Sequence, residues 1–296
     1  MKINSIDDFQ IADSSYVTVT KMNHIVEVQH MSKKNSECHI QKLSKNTYVD
    51  KRDGEIKEFQ LNENRSENLN SLRQTFKKLR YLINNNFFGS QNELFITLTY
   101  AQQTNDHIKV GKDYDNFLKR LKRKYKAIST VEALKVLEPH ASGNYHMHVL
   151  LKFSDLDSIF INNSELADIW QNGFVSVQSL AGVDNIGAYL SAYMSDLEVP
   201  NNYDTKATNV EEKEVNGQKK KFIKGGRLAF YPSGVNLYTK TKGIVYPERQ
   251  EMTYKKAKKN VVRSAKPNYK KTIEINDENK KFSNTITYEQ YNLKRH

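Results

Sequence analysis

The sequence predicts an α+β protein in which an antiparallel sheet is flanked by helices. Several short segments are rich in β-branched and aromatic residues, as strands are, and others repeat apolar residues at steps of three and four, as helices do. Two of the predicted strands are so close in sequence that only a tight turn can join them. The 296 residues are 38% hydrophobic, which is enough to bury a core. A wholly disordered chain is therefore excluded, and the length favours roughly two domains.

Residues 1–65 predict a β-rich extension that precedes the first helix. Residues 16–28 alternate in polarity, and Asp53-Gly54 is a hairpin-type turn between two short apolar segments. A helix is predicted over residues 66–84, where Leu69, Leu72 and Phe76 fall on one face.

The central part of the chain alternates strands and helices. Strands are predicted over residues 94–100, 131–137, 145–153 and 174–178, and helices over residues 112–126, 164–170 and 184–197. This order is close to a ferredoxin-like or split βαβ arrangement. Residues 201–250 predict a polar loop followed by an accessory ordered segment of the same domain.

Positive charge is concentrated in the last third of the chain. The net charge is +12, and residues 1–200 contain equal numbers of basic and acidic side chains. The pattern predicts a basic C-terminal tail over residues 251–296 that suits a polyanion such as nucleic acid, although a merely solubilising tail has the same composition. A second basic cluster lies on the predicted helix 112–126. The candidate DNA-binding side chains are Lys119, Arg120, Arg123, Lys255, Lys256, Lys258 and Lys259.

Several classes of protein are excluded by composition. No run of 18 apolar residues can cross a membrane, and the first residues lack the apolar segment of a secretion signal. A single cysteine, Cys38, excludes an internal disulfide framework and a cysteine-rich zinc module. We therefore expect a cytoplasmic protein without a membrane partner.

Two histidines mark the first candidate for chemistry. Residues i and i+2 of a strand share one face, so His146 and His148 present two imidazoles side by side, where they can bind one divalent metal. Glu138, on the strand that precedes the turn, can lie across from them as a third ligand. An isolated His-x-His pair is also common as two ordinary half-buried strand residues.

Two tyrosines mark the second candidate. Tyr189 and Tyr193 are four residues apart and therefore lie on one face of the predicted helix 184–197. A tyrosine oxygen can act as a nucleophile when it is activated. The alternative is a pair that packs into the core.

Taken in order, these motifs resemble the HUH-endonuclease superfamily, and more narrowly the rolling-circle replication initiators of bacterial plasmids, filamentous phages and related mobile elements. Residues 95–100 resemble the first family motif, His146-Met147-His148 the second, and Tyr189-Leu190-Ser191-Ala192-Tyr193 the third. Ala192 departs from the family pattern, which often has lysine at that position. The resemblance covers residues 66–247 and implies an RRM-like nuclease core over residues 66–200.

The resemblance also implies an activity. A Mg²⁺ or Mn²⁺ ion held by His146, His148 and Glu138 would polarise a DNA phosphate, and a tyrosine would cleave the strand to leave a 5′-phosphotyrosine and a free 3′-OH. Relatives with one tyrosine retain the second position, so we expect Tyr193 to cleave first and Tyr189 to act in a later transfer. The implied partners are single-stranded and duplex origin DNA.

Other components are expected to come from the host. The sequence has no GxxxxGK[ST] phosphate loop, so we expect a host helicase and a host polymerase to act with the protein. No small-molecule cofactor is expected.

Three alternatives stay open. Relaxases of this superfamily usually place the tyrosine ahead of the histidines, and its transposases are usually shorter than this chain. A non-catalytic, repressor-like DNA-binding protein would share the basic segment and the aromatic content.

Overall fold

The computed structural model describes most of the chain, which divides into two compact units. The described residues are 2–34, 38–44, 46–59, 69–139, 144–188, 190, 197–199, 210–215, 218–223, 230, 235–277 and 282–295. We call Glu63–Tyr246 the central unit, and Met1–Asn62 together with Pro247–His296 the terminal unit.

Seventeen strands and four α-helices have defined bounds among the described residues. The strands are β1 (Lys2–Ile6), β2 (Tyr16–Met22), β3 (Ile25–Met31), β4 (Ile40–Lys42), β5 (Thr47–Asp50), β6 (Ile56–Glu58), β7 (Glu93–Tyr100), β8 (Val131–Pro139), β9 (Tyr145–Phe153), β10 (Gly173–Ser179), β11 (Leu197–Val199), β12 (Val210–Val215), β13 (Gln218–Ile223), β14 (Tyr238–Lys240), β15 (Arg249–Thr253), β16 (Tyr269–Asp277) and β17 (Phe282–Asn292). The helices are α1 (Leu69–Asn86), α2 (His107–Tyr125), α3 (Asn163–Trp170) and α4 (Tyr254–Ala257), and a short π-helix, Lys258–Val262, follows α4 directly.

The main sheet of the central unit has five strands in the order β10-β7-β9-β8-β14, and all neighbours are antiparallel. The predicted class, an antiparallel sheet flanked by helices, is confirmed. A small second sheet pairs β11, β13 and β12.

Helices cover both faces of the main sheet, and the alternation of its strands divides the core into two clusters. On the face covered by α2 and α3, which we call the α2 face, Leu98, Leu137 and Met147 are buried together. On the opposite face, the α1 face, Phe95 and Leu150 pack with residues of α1. Because side chains of a strand point alternately to opposite faces, the register of each strand decides which residues reach which core.

Local signals explain where the flanking helices begin and what holds them. The Asp106 carboxylate accepts the backbone N–H groups of Ile108 and Lys109, and so caps the first turn of α2. The last carbonyls of α3, at Ile169 and Trp170, accept hydrogen bonds from the Arg120 guanidinium. These bonds pin the end of α3 to α2.

Residues 186–188 and 190 are helical and pack on the α1 face, where Ile186 and Leu190 are buried. Gly187 donates its N–H to the Asn84 side chain of α1 at 2.9 Å. A Cβ at Gly187 would lie 2.5 Å from that amide oxygen, so glycine allows the close approach.

Gly173 sets the start of the edge strand β10. Its φ of +148° belongs to the region that favours glycine, and an added Cβ would overlap the carbonyl oxygen of Thr99. Gly173 is opposite Tyr100, the last residue of β7. The absence of a side chain therefore allows β10 to begin in close contact with the end of β7.

The terminal unit contains an antiparallel sheet of six strands in the order β1-β16-β17-β3-β2-β15. Its core includes Val17, Val28, Met252 and Tyr291. The structure thus differs from the expected division into a β-rich extension and a basic C-terminal tail, because both ends of the chain supply strands to one sheet. Apolar side chains of β17 are buried in that sheet, whereas the lysines of β16 occupy exposed positions.

A further small sheet, β4-β5-β6, contains the predicted hairpin, whose Gly54 has a positive φ of 75°. No helix in the described ranges combines the length and the apolar character needed to cross a membrane.

Two alanine substitutions should have opposite effects on the stability of the central unit. Gly173→Ala should lower the free energy of unfolding by about 2 kcal/mol, because the new Cβ would clash with backbone atoms that cannot move independently. Gly111→Ala, inside α2, should raise it by up to about 1 kcal/mol, because a Cβ there meets nothing within 4 Å. Urea denaturation measures both. Equal effects would contradict the role given to Gly173.

Candidate active site

The pairing of β8 and β9 brings two of the predicted metal ligands together on the α1 face. Glu138 lies opposite His146 in the register, and Val136 lies opposite His148. The Glu138 carboxylate oxygen Oε2 contacts Nε2 of His148, and both side chains are almost completely buried. A carboxylate and an imidazole thus meet at the end of the hairpin, as the sequence spacing requires.

Residues of β7 hold the other side of the His148 ring. The Thr97 hydroxyl lies 3.1 Å from Nδ1, and the Phe95 ring stacks on the imidazole at 5.3 Å between centroids. Both ring nitrogens of His148 are therefore engaged, and its plane is fixed. Thr97 was not singled out from the sequence, although its alternation with Ile96 and Leu98 places it on the same face as Phe95.

His146 shares the α1 face with His148 and is half-buried. Within the part of the chain that the structure describes, no three His, Cys, Asp or Glu side chains are arranged to hold a metal ion. His148 and Glu138 are thus brought together, and His146 lies beside them without completing such a cluster.

The donor chemistry of these three residues fits a divalent cation. Two imidazole nitrogens and one carboxylate oxygen are ligands that Mn²⁺ accepts, and Mg²⁺ shares the preference for the carboxylate. When the Thr97 hydroxyl accepts from Nδ1–H of His148, the lone pair of Nε2 points toward Glu138, the arrangement that a ligating histidine needs. These residues could therefore hold a metal once the His146 side chain joins them.

The two predicted nucleophiles, Tyr189 and Tyr193, lie outside the described residues. The residues next to them in sequence are informative, however. Ile186 and Leu190 pack on the α1 face, the face that carries His148 and Glu138. The chain therefore reaches the correct side of the sheet immediately before and after position 189.

The predicted DNA-binding residues of α2 have different environments. Lys119 and Arg123 are exposed, whereas the Arg120 guanidinium donates to the last carbonyls of α3 at 2.7 and 3.0 Å. Sequence analysis could not separate them, because an arginine that caps a distant helix has no local signature. We assign Arg120 a structural role.

The lysines of the C-terminal segment are exposed on α4 and the π-helix of the terminal unit. This segment is anchored through the Tyr254 hydroxyl, which donates to the buried carboxylate of Glu289 at 3.1 Å. Tyr291 donates to the same carboxylate at 2.7 Å, and Ala257 and Val262 are buried. Burial and the charge of Glu289 raise the pKa of Tyr254 to about 12, so it remains a donor at neutral pH. The lysines Lys255, Lys256, Lys258 and Lys259 therefore project from a fixed backbone.

Thr97→Val should destabilise the central unit by about 1 to 3 kcal/mol, because it removes the hydroxyl that faces Nδ1 of a buried histidine. Thr99→Val, the next residue of β7 on the same face, is the matched control and should change the free energy of unfolding by less than about 0.5 kcal/mol. Chemical denaturation measures both. A difference smaller than the error of that measurement would show that the hydroxyl does not hold the ring.

Comparison with known proteins identifies part of this unit. Residues 93–198 match a family model of replication-associated proteins, the ORF2 type. No curated protein and no solved structure gives a significant match. The matched span begins at the first residue of β7 and contains Glu138, both histidines and both tyrosines. About a third of the chain is thus similar to replication-associated proteins, which indicates a role in DNA replication.

Proposed function

We propose that the central unit is an HUH-type endonuclease and strand transferase that nicks and rejoins origin DNA in rolling-circle replication. The observation that carries the proposal is the buried contact of His148 with Glu138. It lies inside the segment that matches replication-associated proteins, on the sheet face where the residues flanking Tyr189 pack. The order of the three motifs along the chain adds support.

The covalent step is an exchange of one phosphoester for another. The Tyr193 hydroxyl oxygen attacks phosphorus, and the bond from phosphorus to the 3′ oxygen breaks. The phenol loses its proton, and the departing 3′ oxygen gains one. The products are a 5′-phosphotyrosine and a free 3′-OH that can prime synthesis. Because one phosphoester replaces another, the step is reversible and no external energy source is needed.

The residues around the hairpin position the reacting phosphate. With Mg²⁺ or Mn²⁺ bound by His146, His148 and Glu138, the cation would stabilise the negative charge that develops on the phosphate oxygens. Thr97 and Phe95 keep the His148 ring in one plane, so its Nε2 faces Glu138 without the need for rearrangement. A rigid pair of ligands of this kind favours a single orientation of the phosphate.

A second tyrosine extends the chemistry from cleavage to rejoining. Tyr189 precedes Tyr193 by one helical turn and would attack the junction formed after one round of synthesis. The 3′-OH released in this second cleavage can then attack the first phosphotyrosine and close a circle. One tyrosine alone would cleave but would not complete this exchange.

The terminal unit would bind duplex DNA at the origin through its exposed lysines. Lys255, Lys256, Lys258 and Lys259 lie in one short segment, and their charge matches that of the phosphate backbone. Host helicase and polymerase would unwind and extend the strand.

The covalent intermediate provides the direct test of this function. A labelled single-stranded oligonucleotide carrying the origin sequence should form an adduct with the wild-type protein, and EDTA should abolish it. Tyr193→Phe should lose the adduct, because it removes only the nucleophilic oxygen. Tyr189→Phe should retain the adduct and fail to close circles. The exposed Tyr16 of the terminal unit supplies the control, Tyr16→Phe, which should behave as wild type.

Peptide mapping of the trapped adduct interprets the result. Phosphotyrosine at position 189 alone would reverse the roles of the two tyrosines. Origin binding without any adduct would contradict the nuclease proposal and favour a non-catalytic DNA-binding protein.

The duplex-binding proposal predicts a specific change in salt dependence. Replacing Lys255, Lys256, Lys258 and Lys259 with Gln should lower the slope of log affinity against log salt by about 0.9 for each phosphate that is no longer neutralised. Gln at four other exposed lysines of the terminal unit is the control: Lys21, Lys33, Lys42 and Lys51. Equal slopes for the two variants would indicate that duplex affinity follows total charge and not this segment.

A further inference from the structure

An exposed phenylalanine lies on the candidate catalytic face. Phe174, the second residue of β10, is 71% exposed. Val175 and Val177 of the same strand pack toward the core of the α2 face. Because successive side chains of a strand point to opposite faces, Phe174 and Ser176 belong to the α1 face.

The register of the sheet places Phe174 level with the candidate metal ligands. Phe174 lies opposite Thr99 of β7, and Leu98 lies opposite Met147 of β9. The next step of that register brings Thr99 level with His146, which itself lies opposite Glu138. Phe174 is thus in one cross-strand row with both, and neighbouring strands are about 4.8 Å apart. Two strand spacings separate it from β9, about 10 Å.

This part of the α1 face is polar and accessible. Beside Phe174, Thr97 and Thr99 are half-buried and Ser176 and Gln178 are exposed. Further along the same sheet, Phe95 and Leu150 are buried under α1. The aromatic ring therefore stands in a polar surface that continues to the histidines.

The position of the ring is also well defined. It sits on a hydrogen-bonded strand and not on a loop, and Gly173 begins that strand close to the backbone of β7. A planar, apolar side chain held in this way has an exposed π-face at little conformational cost.

We propose that Phe174 is a stacking platform for an unpaired base of the single-stranded DNA substrate, next to the phosphate that is cleaved. The inference rests on the proposed function, and it names the substrate class of that site: a single strand whose bases are free to leave a stack. Bases in a duplex have both faces covered and cannot use such a platform. Stacking on one aromatic ring is tolerant of sequence, so any base can occupy it.

The test is a binding measurement on the full chain without metal. The probe is a short fluorescein-labelled oligothymidylate, and the readout is fluorescence anisotropy at a salt concentration that screens surface charge. Phe174→Ala should weaken binding by between about 5-fold and about 150-fold, the range for loss of one stacked base. Phe174→Leu should weaken it similarly, because leucine is apolar but has no π-face. Phe174→Trp should bind as wild type or more tightly.

Phe160 provides the matched control. It is 85% exposed and lies in the loop before α3, outside the cross-strand row of the ligands. Phe160→Ala should leave the affinity unchanged, and duplex binding should be unchanged in every variant. An unaltered affinity in Phe174→Ala, full binding by Phe174→Leu, or an equal loss in Phe160→Ala would each overturn the platform.

Failure of the platform and failure of the proposed function give different results. A wild-type protein that forms the covalent adduct while Phe174→Ala binds normally retains the function and loses the platform. A wild-type protein that forms no adduct while Phe174→Ala binds weakly loses the function and retains the platform.

Discussion

The candidate site depends on the antiparallel pairing of β8 with β9. That register places Glu138 opposite His146 and brings its carboxylate to His148, one alternate position along the same face. A slip of one residue would move Glu138 to the α2 face and separate it from both histidines. The two cores prevent the slip, because Leu137 and Met147 fill one of them while Val136 and Leu150 fill the other. Packing on both faces of the sheet therefore fixes the chemistry at its end.

Burial gives the His148–Glu138 pair its character. Nε2 faces the carboxylate and Nδ1 faces the Thr97 hydroxyl, so the ring is held from both sides. A hydroxyl can donate or accept a hydrogen bond, so rotation of one hydrogen lets His148 present either an N–H or a lone pair to Glu138. The same geometry thus serves two protonation arrangements without movement of the heavy atoms. Sequence spacing could predict the carboxylate, but it could not predict this second interaction.

Local periodicity predicted the central unit well. The strands at residues 94–100 and 145–153 and the helix at 112–126 were found within a few residues of their ends, because each has a strong pattern of period two or 3.6. The placement of Glu138 followed from the short turn between its strand and that of the histidines. Two features could not be predicted. The exposure of Phe174 depends on β10 being an edge strand, and the role of Arg120 depends on the distant end of α3.

The terminal unit shows the limit of composition as a guide. Density of lysine suggested a tail beyond residue 250, yet β17 pairs with β3, a strand near the start of the chain. Such pairing is non-local and leaves no trace in a short window of sequence. It also changes how the basic segment must be tested. Truncation at Pro247 would remove three of the six strands, β15, β16 and β17, and not merely a charged extension. Weaker duplex binding after truncation would then report unfolding as readily as the removal of positive charge. Substitution of the lysines keeps the buried Glu289 and its two tyrosines in place, and so separates charge from fold.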